Sequence, residues 1–259
     1  MTGRVGSTVL GGDELDLVLR LLDVDELPVV LSAGSRFDTT TARAAADGAA
    51  RDSLRARGLL RGNNPHPCLV DRVAVLARPA VELAVRWYTG GEVFRGCLAQ
   101  GPAGAVLALR AADEYVLAGV PAADPDLVFE LIGRGSGLAV GSVSAPTELL
   151  SAALRDVTDP STVAGRLTGL GAADRDADRL AHALASCRAH AEIVTVTRRN
   201  GTTRVGGPVT VFDTACGRIV GTTTVSADLS SWSTLGPGGD ARVRQAVREV
   251  LAEAGAVSS

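Results

Sequence analysis

Val209-Thr-Val-Phe-Asp213-Thr-Ala-Cys216-Gly217-Arg218-Ile-Val-Gly-Thr-Thr-Thr-Val225, followed by Ser231-Trp232-Ser-Thr-Leu235 and Pro237-Gly-Gly-Asp240, is the stretch that decides the fold. β-Branched residues run on both sides of Cys216-Gly217, so strands at 209–214 and 218–225 meet at a tight turn. Asp213 and Arg218 flank that turn. As an exposed pair across two strands they would contribute roughly 0.2 to 1 kcal/mol and chiefly set register. A short strand around Trp232 follows, whose ring is either a core anchor or an exposed interface aromatic; the core is favoured because the chain has only 2 Trp to fill its interior. A capped amphipathic helix then begins at Gly239. None of these residues forms a set that performs chemistry, so the ending reads as a scaffold for binding.

Working outward, a strand at 191–198 precedes this hairpin, and helices at 161–167 and 172–186 precede the strand. Before them an extended piece runs to Val143, and Ala145-Pro146-Thr147 caps a helix to Leu154. The first half has the same order. A strand at 4–10 leads through Gly11-Gly12-Asp13 into a helix with Leu15, Val18, Leu19 and Leu22 on one face. Helices at 39–60 and 65–76 are expected to pack as a pair. Strands at 80–89, 92–100, 103–110 and 115–120 are linked by Gly90-Gly91, Gly101-Pro102 and Ala112-Asp113. Links this short make antiparallel neighbours, because a parallel crossover needs about a dozen residues. Asp124-Pro125-Asp126 caps a short helix to Ile132, and 133–137 breaks it. Val81-Glu-Leu-Ala-Val-Arg86 and Ala191-Glu-Ile-Val-Thr-Val196 each open a meander after helices. The expected fold is therefore α+β: a central, mainly antiparallel sheet flanked by two helical bundles, quasi-twofold, one domain over 1–259 with pseudo-repeat halves of about 1–135 and 136–259.

Composition narrows the function classes. A net charge of -3 leaves no basic surface for nucleic acid. All 26 basic residues are Arg, which removes a phosphate-loop Lys, a Schiff-base Lys and a Lys general base; the bias itself reads as the composition of a GC-rich genome. No apolar run approaches the roughly 20 residues of a membrane span, and no signal-peptide core follows Met1, so no membrane insertion and a cytoplasmic location are expected. Cys68, Cys97, Cys187 and Cys216 form no Cys-x-x-Cys pair and are read as buried free thiols.

The candidate chemistry dissolves on inspection. Gly133-Arg-Gly-Ser-Gly137 follows a helix and opens a strand, the reverse of a phosphate loop. Asp174, Asp176 and Asp178 copy three calcium-loop positions, but Arg179 and Ala185 stand where the Gly and bidentate Glu belong. Acidic residues there suit the positive end of a helix dipole instead. Cys187 would lie about 140° around a continued helix from His182, so His182, Cys187 and His190 do not converge, and His66 with Cys68 is a two-ligand fragment. No metal, cofactor or catalytic residue is expected, and no Gly-x-Ser-x-Gly elbow exists for a hydrolase. Trp87-Tyr88 before Gly90-Gly91 puts adjacent aromatics on opposite strand faces near a hairpin tip, one of them exposed.

The succession Asp213, Gly217-Arg218, Trp232, Pro237-Gly238, then Ala241-Arg242 leading into a Leu/Val-striped helix resembles the C-terminal signature of the EspG family, the ESX secretion-associated proteins of actinobacterial type VII secretion. The resemblance implies a cytosolic chaperone and specificity factor for PE-PPE-type heterodimers or related ESX substrates, capturing an exposed apolar helical tip over an interface on the order of 1,000 Å² or more. It also implies a contact surface at the hairpin after the second strand, here Trp87, Tyr88, Thr89, Gly90, Gly91 and Glu92, and in a C-terminal helical region, here 172–188. The hairpin loop is short for that role. Two other readings are a self-associating scaffold, such as a homodimer, that binds a secretion-machine component through its sheet edges, and, behind it, an enzyme using an acid-base pair such as Asp213 or Asp240 with a distant Arg.

Overall fold

The structure is a computed structural model that describes residues 6–31, 39–199, 201–226 and 228–256. In chain order the elements are β1 Thr8–Gly11, α1 Gly12–Leu21, α2 Thr40–Ala56, β2 Leu60–Arg61, β3 Asn64–Pro65, α3 Pro67–Ala77, β4 Val81–Thr89, β5 Glu92–Gly101, β6 Gly104–Ala111, β7 Glu114–Val120 and α4 Phe129–Ile132. Then follow β8 Val143–Pro146, α5 Thr147–Ala153, α6 Pro160–Gly169, α7 Asp174–Ala185, β9 Cys187–Arg199, β10 Thr202–Thr214, β11 Gly217–Val225, β12 Ser231–Pro237 and α8 Asp240–Ala256. The main sheet has the order β1-β7-β6-β5-β4-β9-β10-β11-β12-β8, and β2–β3 forms a separate ribbon. The α+β class and the antiparallel meanders expected from the short links are what the chain adopts: β1–β7, β5–β6, β6–β7, β10–β11, β11–β12 and β12–β8 all pair antiparallel.

The chain divides into two compact units. The first comprises Met1–Ala84, Val93–Leu127 and Val196–Arg204; the second comprises Val85–Glu92, Val128–Thr195 and Val205–Ser259. In the first unit, Leu15, Leu17 and Val18 of α1, Leu54 of α2 and Leu69, Val73 and Leu76 of α3 close over Cys97, Ala99, Val106, Ala108 and Leu117 of the strands. Glu14 holds two helices together. It caps α1 by accepting the Gly11 N–H at 2.9 Å, and it accepts Ser53 Oγ at 2.7 Å and Arg57 at 2.9 Å from α2 and its C-cap. Burial pushes this carboxyl upward, but the hydrogen bonds from Ser53, the Gly11 N–H and Arg57 outweigh it and hold the group below its ordinary value. The chief packing partner of α2 is thus α1, whereas α3 lies on β6 and β7; the expected pairing of the second and third helices is corrected to this arrangement.

In the second unit, α6 packs on α7, and Val163, Leu167, Ala177, Leu180, Ala181 and Leu184 join Val143, Ile219 and Leu235 in one core. Asp159 caps α6, and Asp174 and Asp176 occupy the first turn of α7, where they face the positive end of the dipole. Val243, Ala246, Val247, Val250 and Ala254 form the buried stripe of α8, at helical spacing.

Three boundaries differ from the sequence reading. Strand β8 covers Val143–Pro146, so Ala145 and Pro146 of the expected cap also belong to the ladder while Pro146 remains the N-cap of α5, and Leu138 donates its N–H to Arg218 O at 2.9 Å. Strand β10 begins at Thr202 and runs through Gly206-Gly207-Pro208, a local break signal that ladder pairing overrides. Gly207 is needed there: its φ is 96°, and a Cβ would lie 3.2 Å from Ile193 O. Cys187 begins β9 rather than extending α7. The first part of the expected strand at 4–10 lies outside the described residues. Among the described residues, no helix is long and apolar enough to cross a membrane.

Candidate partner-binding site

The tip of the β4–β5 hairpin is a two-residue turn in which Gly90 and Gly91 both take positive φ, 59° and 81°. Side chains with a Cβ disfavour that pair of conformations, so the Gly-Gly sequence fixes a tight hairpin with strand-matched twist. Its last pleats carry Trp87 and Tyr88 on opposite faces. Gly90, Gly91 and Glu92 are exposed, while Trp87, Tyr88 and Thr89 are half-buried. Neither aromatic is fully exposed, which corrects the expectation that one would be.

The reason lies on the neighbouring strands. Tyr88 stacks on His190 of β9 with centroids 4.5 Å apart and planes 11° from parallel. His190 in turn lies 6.4 Å from the Phe212 ring of β10. Phe212 belongs to the core under α5–α7, so a row of three rings leads from that core out to the hairpin tip. Glu192 borders the row: Tyr88 Oη donates to Glu192 Oε2 at 3.4 Å, and Arg86 Nη1 stands 3.9 Å from the same oxygen. Such a surface is suited to contact, since stacked rings contribute about 0.5–1.5 kcal/mol per pair beyond area burial and stay ordered while half-exposed. Glu192 and Phe212 escaped the sequence reading, and His190 is weighed there only as a metal ligand. The available signal was the pairing of the two meander openings, which sets the strand carrying Tyr88 beside the strand carrying His190.

The Asp213–Arg218 pair is not the exposed pair expected from the turn. The Arg218 side chain is only 2% exposed, and it grips Asp213 through both oxygens, at 2.5 Å and 2.9 Å. It also donates to Gly133 O at 3.0 Å and Ile132 O at 3.1 Å. The 133–137 segment folds over the guanidinium: a Cβ on Gly135 would lie 2.9 Å from Arg218 Cζ, and one on Gly137 would lie 2.8 Å from Gly239 N. Asp240 completes the knot by accepting the Gly135 N–H at 2.8 Å and pairing with Arg134 at 3.3 Å. Asp213, Arg218 and Asp240 therefore lock the glycine segment to the start of α8, and four of the guanidinium's donors are spent on protein acceptors.

Trp232 is corrected in the opposite direction. It is 41% exposed, because β12 passes from exposed at Ser231 to buried at Leu235 and only its second half reaches the core. Its indole N–H donates to Ser230 Oγ at 3.2 Å. Val225 and Leu229 near the same hairpin end are exposed too. The thiols also divide: Cys97 is buried, Cys68 intermediate, and Cys187 and Cys216 exposed, so the buried-thiol reading holds for Cys97 alone. Of the 172–188 region, α7 packs its apolar face inward, and His182 points outward with its Nδ1 2.9 Å from Asp178 O. Among the described residues no three His, Cys, Asp or Glu side chains gather as a metal site.

The knot at Asp213–Arg218–Asp240 is structural, whereas the aromatic row at the hairpin tip is a surface suited to contact. A model of the EspG family matches residues 12–249, and the chain belongs to that family. Its fold is similar to that of EspG5, the Mycobacterium tuberculosis type VII secretion system chaperone solved in complex with a PE25-PPE41 dimer, with TM-score 0.79 and 17% identity over 95% of this chain and 96% of that one. No curated protein matches the sequence.

Proposed function

We propose that this protein is a cytosolic chaperone and specificity factor that binds the exposed apolar tip of a PE-PPE-type ESX substrate, keeps it soluble and directs it to its secretion system. Membership in the EspG family over nearly the whole chain is the observation that carries the reading. The physical work is burial: an apolar helical tip is removed from water against a preformed surface, and no bond is made or broken. The contact includes Trp87, Tyr88, Thr89, Gly90, Gly91 and Glu92, extended by His190 and Glu192. What supports this placement is the half-exposed ring row, whose core-anchored members cost little ordering entropy on binding.

The test is co-expression with a PE-PPE pair encoded beside this gene. The wild-type chain should co-purify with the pair, and Trp87→Ala/Tyr88→Ala should lose most of the capture while the variant stays folded, with Tm lowered by several degrees for the lost stacking and half-buried ring area. Full capture by the variant would remove the hairpin from the contact. Self-association without capture of any such pair would favour a scaffold over a chaperone.

The same reading takes 1–135 and 136–259 as divergent copies of one ancestral unit. Each half runs strand, three helices, four-strand meander, helix, and in each the first strand pairs with the last strand of the meander, β1 with β7 and β8 with β12.

A further inference from the structure

The start of α3 carries groups that partner binding does not use. His66 caps this eleven-residue helix: its Nδ1 accepts the Cys68 N–H at 3.2 Å and lies 3.0 Å from Cys68 Sγ. A backbone N–H can only donate, so this Nδ1 is the unprotonated nitrogen of a neutral ring, and the thiol is the donor in the sulfur contact. The thiol thus shares the Nδ1 lone pair with the Cys68 N–H, which sets a base 3.0 Å from the sulfur. It also sits in the first helical turn, where charge developing on it meets the positive end of the dipole.

A separate observation points to what would react there. Cys68 lines a cavity of about 320 Å³ together with Asp71, Arg72, Val106 and Gly119. Arg72 is only 6% exposed. Its guanidinium donates to Thr8 Oγ1 at 2.6 Å, to Leu117 O at 3.2 Å and to Gly6 O, all neutral acceptors. Among the described residues no carboxylate pairs with it, and its Nε–H has no hydrogen-bond partner. That nitrogen lies at the cavity wall, 3.9 Å from where a Cβ on Gly119 would stand. Asp71, the other charged residue of the lining, is exposed to solvent. A buried cation with no matching charge is costly, and an anion entering the cavity would offset that cost.

We propose that Cys68 is a covalent modification site that takes up a carboxylate-bearing low-molecular-weight thiol by disulfide exchange, with His66 receiving the thiol proton and Arg72 seating the carboxylate. The Cys68 sulfur attacks one sulfur of the small disulfide. The S–S bond breaks, its electron pair leaves on the other sulfur, and the proton held by His66 Nδ1 passes to that leaving group. Cys68 is oxidised to the mixed disulfide and the released half is reduced to a thiol, so the small disulfide supplies the oxidising equivalents.

Three other cysteines of the same chain serve as references. Cys97 is fully buried, with its thiol pushed well above its ordinary range by burial and by the nearby Glu82 charge. Cys187 and Cys216 are exposed, and among the described residues no imidazole partners either thiol. The intact protein is treated at neutral pH with substoichiometric dithiobis(nitrobenzoate), which carries carboxylates, or with neutral dithiodipyridine, and labelled sites are quantified by peptide mass spectrometry. Cys68 should label about tenfold faster than Cys187 or Cys216, and His66→Gln, checked by circular dichroism to be folded, should remove that advantage. The carboxylate probe should be preferred over the neutral one more strongly at Cys68 than at Cys216. Labelling of Cys68 no faster than Cys216, an unchanged rate in His66→Gln, or the same probe preference at both sites would each overturn the proposal.

Discussion

Replacing Arg218 by Met separates two accounts of the Asp213–Arg218 turn. In the structure the guanidinium is buried and makes two hydrogen bonds to Asp213, one to Gly133 O and one to Ile132 O. Met keeps much of the apolar stem and removes all four. Breaking a buried pair by deleting one partner typically costs about 3–5 kcal/mol, because the remaining groups stay desolvated without compensation. Asp213 is 29% exposed and can regain water, which places the expectation near the lower end, at about 3 kcal/mol. For a chain of this size each kcal/mol moves Tm by about 2–4 °C, so Tm should fall by about 6–12 °C. Urea denaturation followed by circular dichroism gives the free energy, and a thermal scan gives Tm. Adding Asp213→Asn should recover part of the loss by removing the stranded carboxylate. A loss below about 1 kcal/mol, the range of a solvated surface pair, would refute the buried-knot account.

Gly238→Ala places a Cβ 2.6 Å from Ile219 C and should cost at least about 2 kcal/mol in urea denaturation. Gly165→Ala, in the middle of α6 with nothing within 4 Å, should instead add about 0.5–1 kcal/mol. Asp159 is held down to about 2 by hydrogen bonds from the Thr162 hydroxyl, the Ser161 hydroxyl and the Thr162 N–H. Because its folded value is depressed, its contribution is fully present above its ordinary value near 3.8 and disappears as pH falls through about 2. Asp159→Ala should therefore lower Tm at pH 6 and flatten the fall of Tm between pH 4 and pH 2; an unchanged acid slope would contradict the cap.

Element types and most boundaries were readable because local signals agreed with the tertiary outcome. Gly90-Gly91 could only be a tight turn, the short Gly101-Pro102 and Ala112-Asp113 links join antiparallel neighbours, and the stripe from Val243 to Ala254 has the period of a helix with one buried face. Where a local signal and the sheet disagreed, the sheet prevailed: Gly206-Gly207-Pro208 reads as a break yet lies within β10. Trp232 shows the other limit. Strand propensity assigns it to an extended segment, but only the depth to which the core reaches along β12 decides whether the ring meets protein or solvent.

The order of turns, caps and apolar periods in the amino-acid string determined the α+β class and the antiparallel meanders, because each of those signals acts over a few neighbouring residues. Tertiary structure alone decided that Arg218 is sealed beneath 133–137, that Trp232 stands in solvent, and that Tyr88 lies on His190 about a hundred positions away. Burial and long-range contact depend on which strands become neighbours, and that is a property of the packed sheet as a whole rather than of any short segment.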